Sequence, residues 1–172
     1  ERNGVSLQTL KFRTLQADFP FVKGDVVDAA VGLEPNEYLG QLRVSVLLKN
    51  IKLHDMVEDD LFVSMRDFSM LMRGKSEGFD ASLLIPQRET TAKVYRYIRS
   101  VGRWNYDTET LCHRLDFWAE DYGQVAVSLE AMLEMGILIR DENGGLSAPK
   151  PSEKVNLQDA PVLKRLRQHL TN

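Results

Sequence analysis

Three patterns predict a multidomain α+β protein. Apolar and polar residues alternate over the first third of the chain, helical spacing takes over after residue 58, and one Asn-Gly turn near residue 143 sits between short apolar runs. They give an N-terminal OB-type β-barrel over 1–58, a linking helix and linker over 59–80, a winged-helix-like α/β domain over 81–150 and a C-terminal helix over 151–172.

The stretch 5–15 reads as a first strand, with Leu10 and Phe12 alternating with Lys11 and Arg13. Val27, Ala29, Val31 and Leu33 share one face of a second strand, opposite Asp28 and Gly32. Leu42, Val44, Val46 and Leu48 share one face of a third, opposite Arg43, Ser45 and Lys49. Period-2 alternation marks strands with one face on a core and one in water. Pro20 and Gly24 bracket the first connection, and Pro35, Asn36 and Gly40 supply turn chemistry for the second.

Asp59 and Asp60 open a helix carrying Leu61, Met65, Phe68 and Met72 at helical spacing, and Gly74 closes it. The polar, glycine-containing stretch 75–80 reads as an interdomain linker. Pro86 then starts a helix with Val94, Tyr95, Ile98 and Val101 in its stripe. Asp107 caps a second one carrying Leu111, Leu115 and Trp118. A third, near 122–135, buries Val125, Leu129, Met132 and Leu133, and a hairpin follows through Asn143-Gly144. Three helices and a hairpin make a winged-helix layout. Asp159, with Pro161 just inside, begins a last helix through Leu163, Leu166 and Leu170.

A net charge of −3 excludes wrapping of duplex DNA through charge alone. Single-strand binding asks for less, a local basic groove with stacking aromatics. No apolar run approaches the roughly 20 residues of a membrane-spanning helix, so no membrane partner is expected. Cys112 is the only cysteine, which rules out an internal disulfide and a thiolate zinc cluster and predicts a buried, inert thiol. The lack of disulfides fits a reducing cytoplasm. The opening Glu1-Arg-Asn-Gly has neither an initiating methionine nor a signal-peptide layout, as an excised piece would.

An OB barrel usually binds on the face of strands two and three and the loops around it. There Lys23, Arg43 and Lys49 are candidate phosphate partners, Phe21 and Tyr38 candidate stacking platforms, and Lys11 and Arg13 extend the track. Stacking is worth about 1–3 kcal/mol per base, so an exposed ring outweighs several solvated lysines. The competing reading packs Phe19 and Phe21 against the barrel end and leaves the charges as an ordinary wet face. In the second half, Arg96 and Arg99, with Lys93 and Arg103 close by, and Lys164, Arg165 and Arg167 are candidate partner or phosphate contacts; a solvated face matched to the helix dipole is the alternative. The third helix of that half is expected to turn Gln124, Ser128, Ala131 and Glu134 to solvent, with Asp121 before it and Glu130 nearby. Carboxylates there repel phosphates, so base reading by this helix is not expected.

For catalysis there is little. His54, His113 and His169 are scattered without metal-ligand spacing, and no phosphate loop or GxSxG elbow occurs. Asp18, Asp25 and Asp28 are too spread for a two-metal site. No catalytic residue, metal ligand or cofactor is nominated in this chain.

Lys23-Gly-Asp-Val-Val-Asp28, with Asn36-Glu-Tyr38 and Gly40, resembles the OB domain of the RecJ family of bacterial single-stranded-DNA exonucleases. Pro86-Gln-Arg88, Val94-Tyr-Arg-Tyr-Ile98, Leu133-Glu-Met-Gly-Ile137 and Pro161-Val-Leu-Lys-Arg165 are similar to the extra C-terminal domain of RecJ proteins from Firmicutes, the Bacillus-like and Clostridium-like bacteria. The resemblance covers nearly the whole chain. It implies 5′→3′ degradation of single-stranded DNA in recombination and repair, with manganese or magnesium in a DHH-type core. That core's motifs are absent here, so the metal is expected in the missing core and this chain alone is expected to be inactive. The resemblance further implies that the OB domain guides the strand and that the last domain docks a partner, single-strand-binding protein among those it suggests. The alternatives are a pure protein-interaction module and a free-standing winged-helix regulator.

Overall fold

The computed structural model describes residues 4–14, 19–38, 40–54, 58–150 and 154–170. The chain divides into two compact units, 1–55 and 56–172. The described residues form a mixed α+β structure of five α-helices and two small antiparallel sheets.

The first unit is built on a long hairpin, β1 (Val27–Tyr38) and β2 (Gln41–Leu53). Its register runs from Val27 opposite Leu53 to Tyr38 opposite Gln41 and shifts once, where Lys49 is left as an extra residue between Asn50 and Leu48. That bulge has a clear cause in the sequence. The apolar series of β2 is even-numbered up to Leu48 and odd-numbered at Ile51 and Leu53. One inserted residue brings both series onto the face that carries Val27, Ala29, Val31 and Leu33. Leu53 is buried at one end of this face, whereas Leu33, Leu42 and Val44 are exposed at the other.

Two expectations change here. Pro35 and Asn36, expected in the turn, lie inside β1, paired with Val44 and Arg43. A proline is tolerated because β1 has a partner strand on one side only among the described residues. Gly40, with φ +71°, does take the turn. The expected strand over 5–15 shrinks to isolated bridge residues, Val5 and Leu10, the latter in a parallel bridge to Leu47. The Leu10 N–H donates to Val46 O at 2.9 Å and its carbonyl accepts from Leu48 N at 2.8 Å. Arg13, at φ +59°, breaks any extended run; Leu15 lies outside the described residues. No closed barrel is formed among the described residues.

The second unit holds α1 (Glu58–Met72), α2 (Arg88–Val101), α3 (Thr108–Arg114), α4 (Tyr122–Glu134) and α5 (Pro161–Leu170), with a short hairpin of β3 (Ile139–Arg140) and β4 (Leu146–Ser147). α1, expected as a link between halves, is part of this unit and packs on α4 and α5. Its buried stripe includes Leu61, Ser64, Asp67 and Leu71, while Met65 is exposed. Ser64 belongs inside because its hydroxyl donates to Glu120 O at 3.1 Å and accepts from Gly123 N at 2.7 Å. Asp67, almost fully buried, accepts from Arg66 Nη2 at 2.7 Å and from Asp80 N at 3.4 Å.

Asp107 caps α3, accepting from Thr110 N at 2.7 Å. The helix stops at Arg114, and Asp116 has φ +50°, so the expected stripe does not reach Trp118, which is 73% exposed. Trp104 exchanges two 2.8 Å hydrogen bonds with Leu146, adding a third extended segment beside β4.

α4 lies between two cores. Val125, Leu129 and Met132 join Val94, Ile98, Trp104 and Leu111 in one; Val127 and Ala131 join Leu71, Leu84, Val162 and Leu166 in the other. At Gly123 the approach is so close that an added Cβ collides with Leu84 Cδ2 and stands 3.1 Å from Ser64 Oγ. Gly123→Ala should therefore destabilise the unit by about 1–3 kcal/mol through overpacking, read as a lower midpoint in urea unfolding.

Candidate nucleic-acid interface

Pairing in β1 and β2 sorts the hairpin into two faces. Arg43, Ser45, Leu47, Asn50 and Lys52 of β2 stand opposite Asn36, Glu34, Gly32, Ala30 and Asp28 of β1, so they share the polar face. The bulged Lys49 lies on that face too, for its Cε sits 2.7 Å from where a Gly32 Cβ would be. Gly32 thus leaves the groove through which the Lys49 stem crosses β1. The ammonium reaches Glu34 Oε1 at 3.9 Å, with both side chains well exposed. Arg43 is exposed and donates to Gln41 Oε1 at 3.3 Å.

The other expected contacts divide. Lys23 is exposed in a turn held by Asp25, whose carboxylate accepts from Val22 N at 2.8 Å. Lys11 and Arg13 are exposed on the segment that bridges β2 at Leu10. Phe21 is half-buried and meets Phe19 edge-on, ring centres 5.5 Å apart. Tyr38 pairs through its backbone with Gln41; its side chain lies outside the described residues. Lys52 was not singled out from the sequence. The signal was available: once the apolar series changes parity after Leu48, the polar partner of Arg43's face must change with it.

On the second unit, Arg96 donates to Ala92 O at 3.1 Å and Arg99 to Tyr95 OH at 3.4 Å, so both lie along α2 itself. Lys93 and Arg103 hold the fold. Lys93 donates to Leu115 O and sits 4.7 Å above the Phe117 ring, while Arg103 pairs with Asp141 at 2.7 Å. Lys164 reaches Asp159 at 3.9 Å and Arg165 reaches Glu134 at 3.4 Å. Arg167 donates through Nε to Leu163 O at 3.1 Å and through Nη2 to Gln158 O.

The expectation that Gln124, Ser128, Ala131 and Glu134 face solvent is overturned. Ser128 and Ala131 are fully buried, and Gln124 and Glu134 are half-buried. Ser128 Oγ meets Thr91 Oγ1 at 2.9 Å, and the Glu134 carboxylate accepts from Val162 N at 2.7 Å, satisfying a free donor in the first turn of α5. Tyr-Gly-Gln-Val-Ala-Val-Ser-Leu-Glu-Ala-Met-Leu-Glu has few charges and many small residues, the composition of a helix enclosed on most sides.

No group of three or more metal-ligating side chains occurs among the described residues. His54 pairs with Asp28 at 2.9 Å and His169 stacks edge-on against Phe79. Asp18 lies outside the described residues. No described helix is long and apolar enough to cross a membrane. In comparisons with protein-family models, curated proteins and solved structures, nothing matches this chain.

Two titrating groups give tests. Burial pushes the Cys112 thiol up to about 12, and Asp121, Glu109 and Asp107 add to the shift. It should resist a thiol reagent at pH 8 in the native protein and react at once in denaturant; a fast native reaction would contradict this placement. The Arg103 guanidinium, then the Gly145 and Asn143 amides, hold the Asp141 carboxyl below the usual carboxylate range. A lowered folded value contributes stability that is present above the ordinary range and lost as pH falls through the lowered value. The Gly145 amide signal should therefore titrate below free aspartate, and Arg103→Gln should raise that midpoint.

Proposed function

We propose that this chain is the non-catalytic C-terminal region of a RecJ-like 5′→3′ single-stranded-DNA exonuclease of recombination and repair, acting in the cytoplasm. In this reading the first unit belongs to an OB-type barrel that guides single-stranded DNA. The second is a winged-helix-like domain that docks a partner, with single-strand-binding protein the first to try. Hydrolysis and its manganese or magnesium belong to a separate core.

The observation that carries the DNA half is the polar face of the hairpin, where Arg43, Lys49 and Lys52 are spread along β2 beside Gly32. Cations strung along one strand suit a phosphate backbone, whose charge repeats at every nucleotide. A bulge and a continuous apolar face behind it also fit a strand pair of a small barrel. The winged-helix-like reading draws support from α2, α3 and α4 followed by β3 and β4, with Trp104 laid beside β4.

The interaction-module reading has an observation of its own. Asp28 and Glu34 share the polar face, and Phe21 is engaged with Phe19 rather than standing free for a base. The regulator reading has none: eight of the 13 residues of α4 are buried.

Fluorescence anisotropy with a labelled strand of about 20 nucleotides, against duplex and at two salt concentrations, separates the first two. Salt-sensitive preference for the single strand is expected. Replacing Arg43 and Lys49 together with glutamine should flatten the plot of log affinity against log salt by about 1.4, at about 0.7 for each phosphate no longer neutralised. An unchanged slope removes these two residues from the interface. Absence of binding at high protein concentration overturns the DNA reading in favour of the interaction module.

A further inference from the structure

A cleft of about 760 Å³ opens in the second unit between α2, α4 and α5. Its size suits one organic molecule rather than a water or an ion. The walls are apolar: Ala92 and Tyr95 come from α2, Met132 from α4, Leu166 and Leu170 from α5. Of the polar side chains that line it, Thr91 and Ser128 are bonded to each other, the Tyr95 hydroxyl accepts from Arg99 Nη1 at 3.4 Å, and Asn156 donates to Asp159 at 3.0 Å. Among the described residues of the lining the charged ones are Arg88 and Arg167, with no aspartate or glutamate, in a chain whose net charge is −3. Arg167 is set in place by its bonds to Leu163 O and Gln158 O. Arg88, the first residue of α2, is exposed.

We propose that this cleft binds a long-chain carboxylate, its hydrocarbon along the helical walls and its head at the arginines. Charge selects the sign of the ligand, since a cationic head would meet two guanidinium groups and no carboxylate among the described lining residues. The walls select the body. A methylene chain needs no hydrogen bonds from the apolar side chains of α2, α4 and α5. A carboxylate pairs with a guanidinium in two parallel hydrogen bonds, which fixes which end of the ligand faces outward.

The test is calorimetric titration of the whole chain with dodecanoate below its micelle concentration, beside dodecyltrimethylammonium. Dodecanoate should bind one to one, and the cation at least about tenfold more weakly. Arg88→Gln, at an exposed position, should weaken dodecanoate about three- to tenfold while leaving the melting temperature of the free protein in place. Ala92→Phe should block the cleft, with circular dichroism confirming the fold. Failure of dodecanoate to bind, equal binding of the cation, or unchanged affinity in Arg88→Gln overturns the proposal. None of these results depends on whether the chain binds DNA, so this inference and the strand-guiding reading stand or fall separately.

Discussion

The second unit depends on α4 being packed from two sides at once, because its residues at i, i+4 and i+7 spacing belong to one core and those between them to another. Val125, Leu129 and Met132 close the core shared with α2 and α3, while Val127 and Ala131 close the one shared with α1 and α5. Burying a helix this fully requires small residues where backbones approach, and a partner for every polar group taken from water. Gly123 supplies the first against Leu84, and the Ser128–Thr91 and Glu134–Val162 bonds supply the second. A helix that braces two cores has little side left for a nucleic-acid groove.

In the first unit the corresponding constraint is the bulge at Lys49. Without it, Ile51 and Leu53 would turn to the polar face and Lys52 to the apolar one, and Leu53 is the most completely buried apolar residue of the hairpin. The extra residue therefore solves a packing problem first. Its second consequence is chemical. Lys49, released from the ladder, extends across β1 in the space that Gly32 leaves open, which places a cation over the middle of the strand pair rather than at its edge.

Much of this architecture was legible because it follows from periodicity. The strands at β1 and β2, the α2 stripe, the Asp107 cap and the Asn143-Gly144 hairpin all express a local rule that a single sequence displays. What was not legible depends on tertiary partners. Met65 fits the apolar spacing of α1 and Ser64 does not, yet Ser64 is inside because Gly123 and Glu120 bond it. Trp118 fits the α3 stripe on spacing, but the chain leaves the helix before reaching it. Glu134 reads as a solvent-facing carboxylate until the first turn of α5 is brought against it. For the candidate interface, alternation identified Arg43 and Lys49 but missed Lys52, whose place on their face follows only when the parity change of the apolar series after Leu48 is read as a bulge.

The arrangement of charge on the hairpin also bears on how strongly such a face would hold DNA. Lys49 and Glu34 are both well exposed at 3.9 Å, a pair worth about 0–1 kcal/mol, so a phosphate displaces the carboxylate at little cost. Yet Glu34 and Asp28 stay on the same face after displacement and repel the incoming backbone. The attraction per phosphate is thus partly cancelled, and with Phe21 turned to Phe19 its ring adds little stacking to offset that loss. On the proposed strand-guiding function, a face balanced in this way would favour transient contacts over tight retention, so that each nucleotide leaves the cations as readily as it arrives.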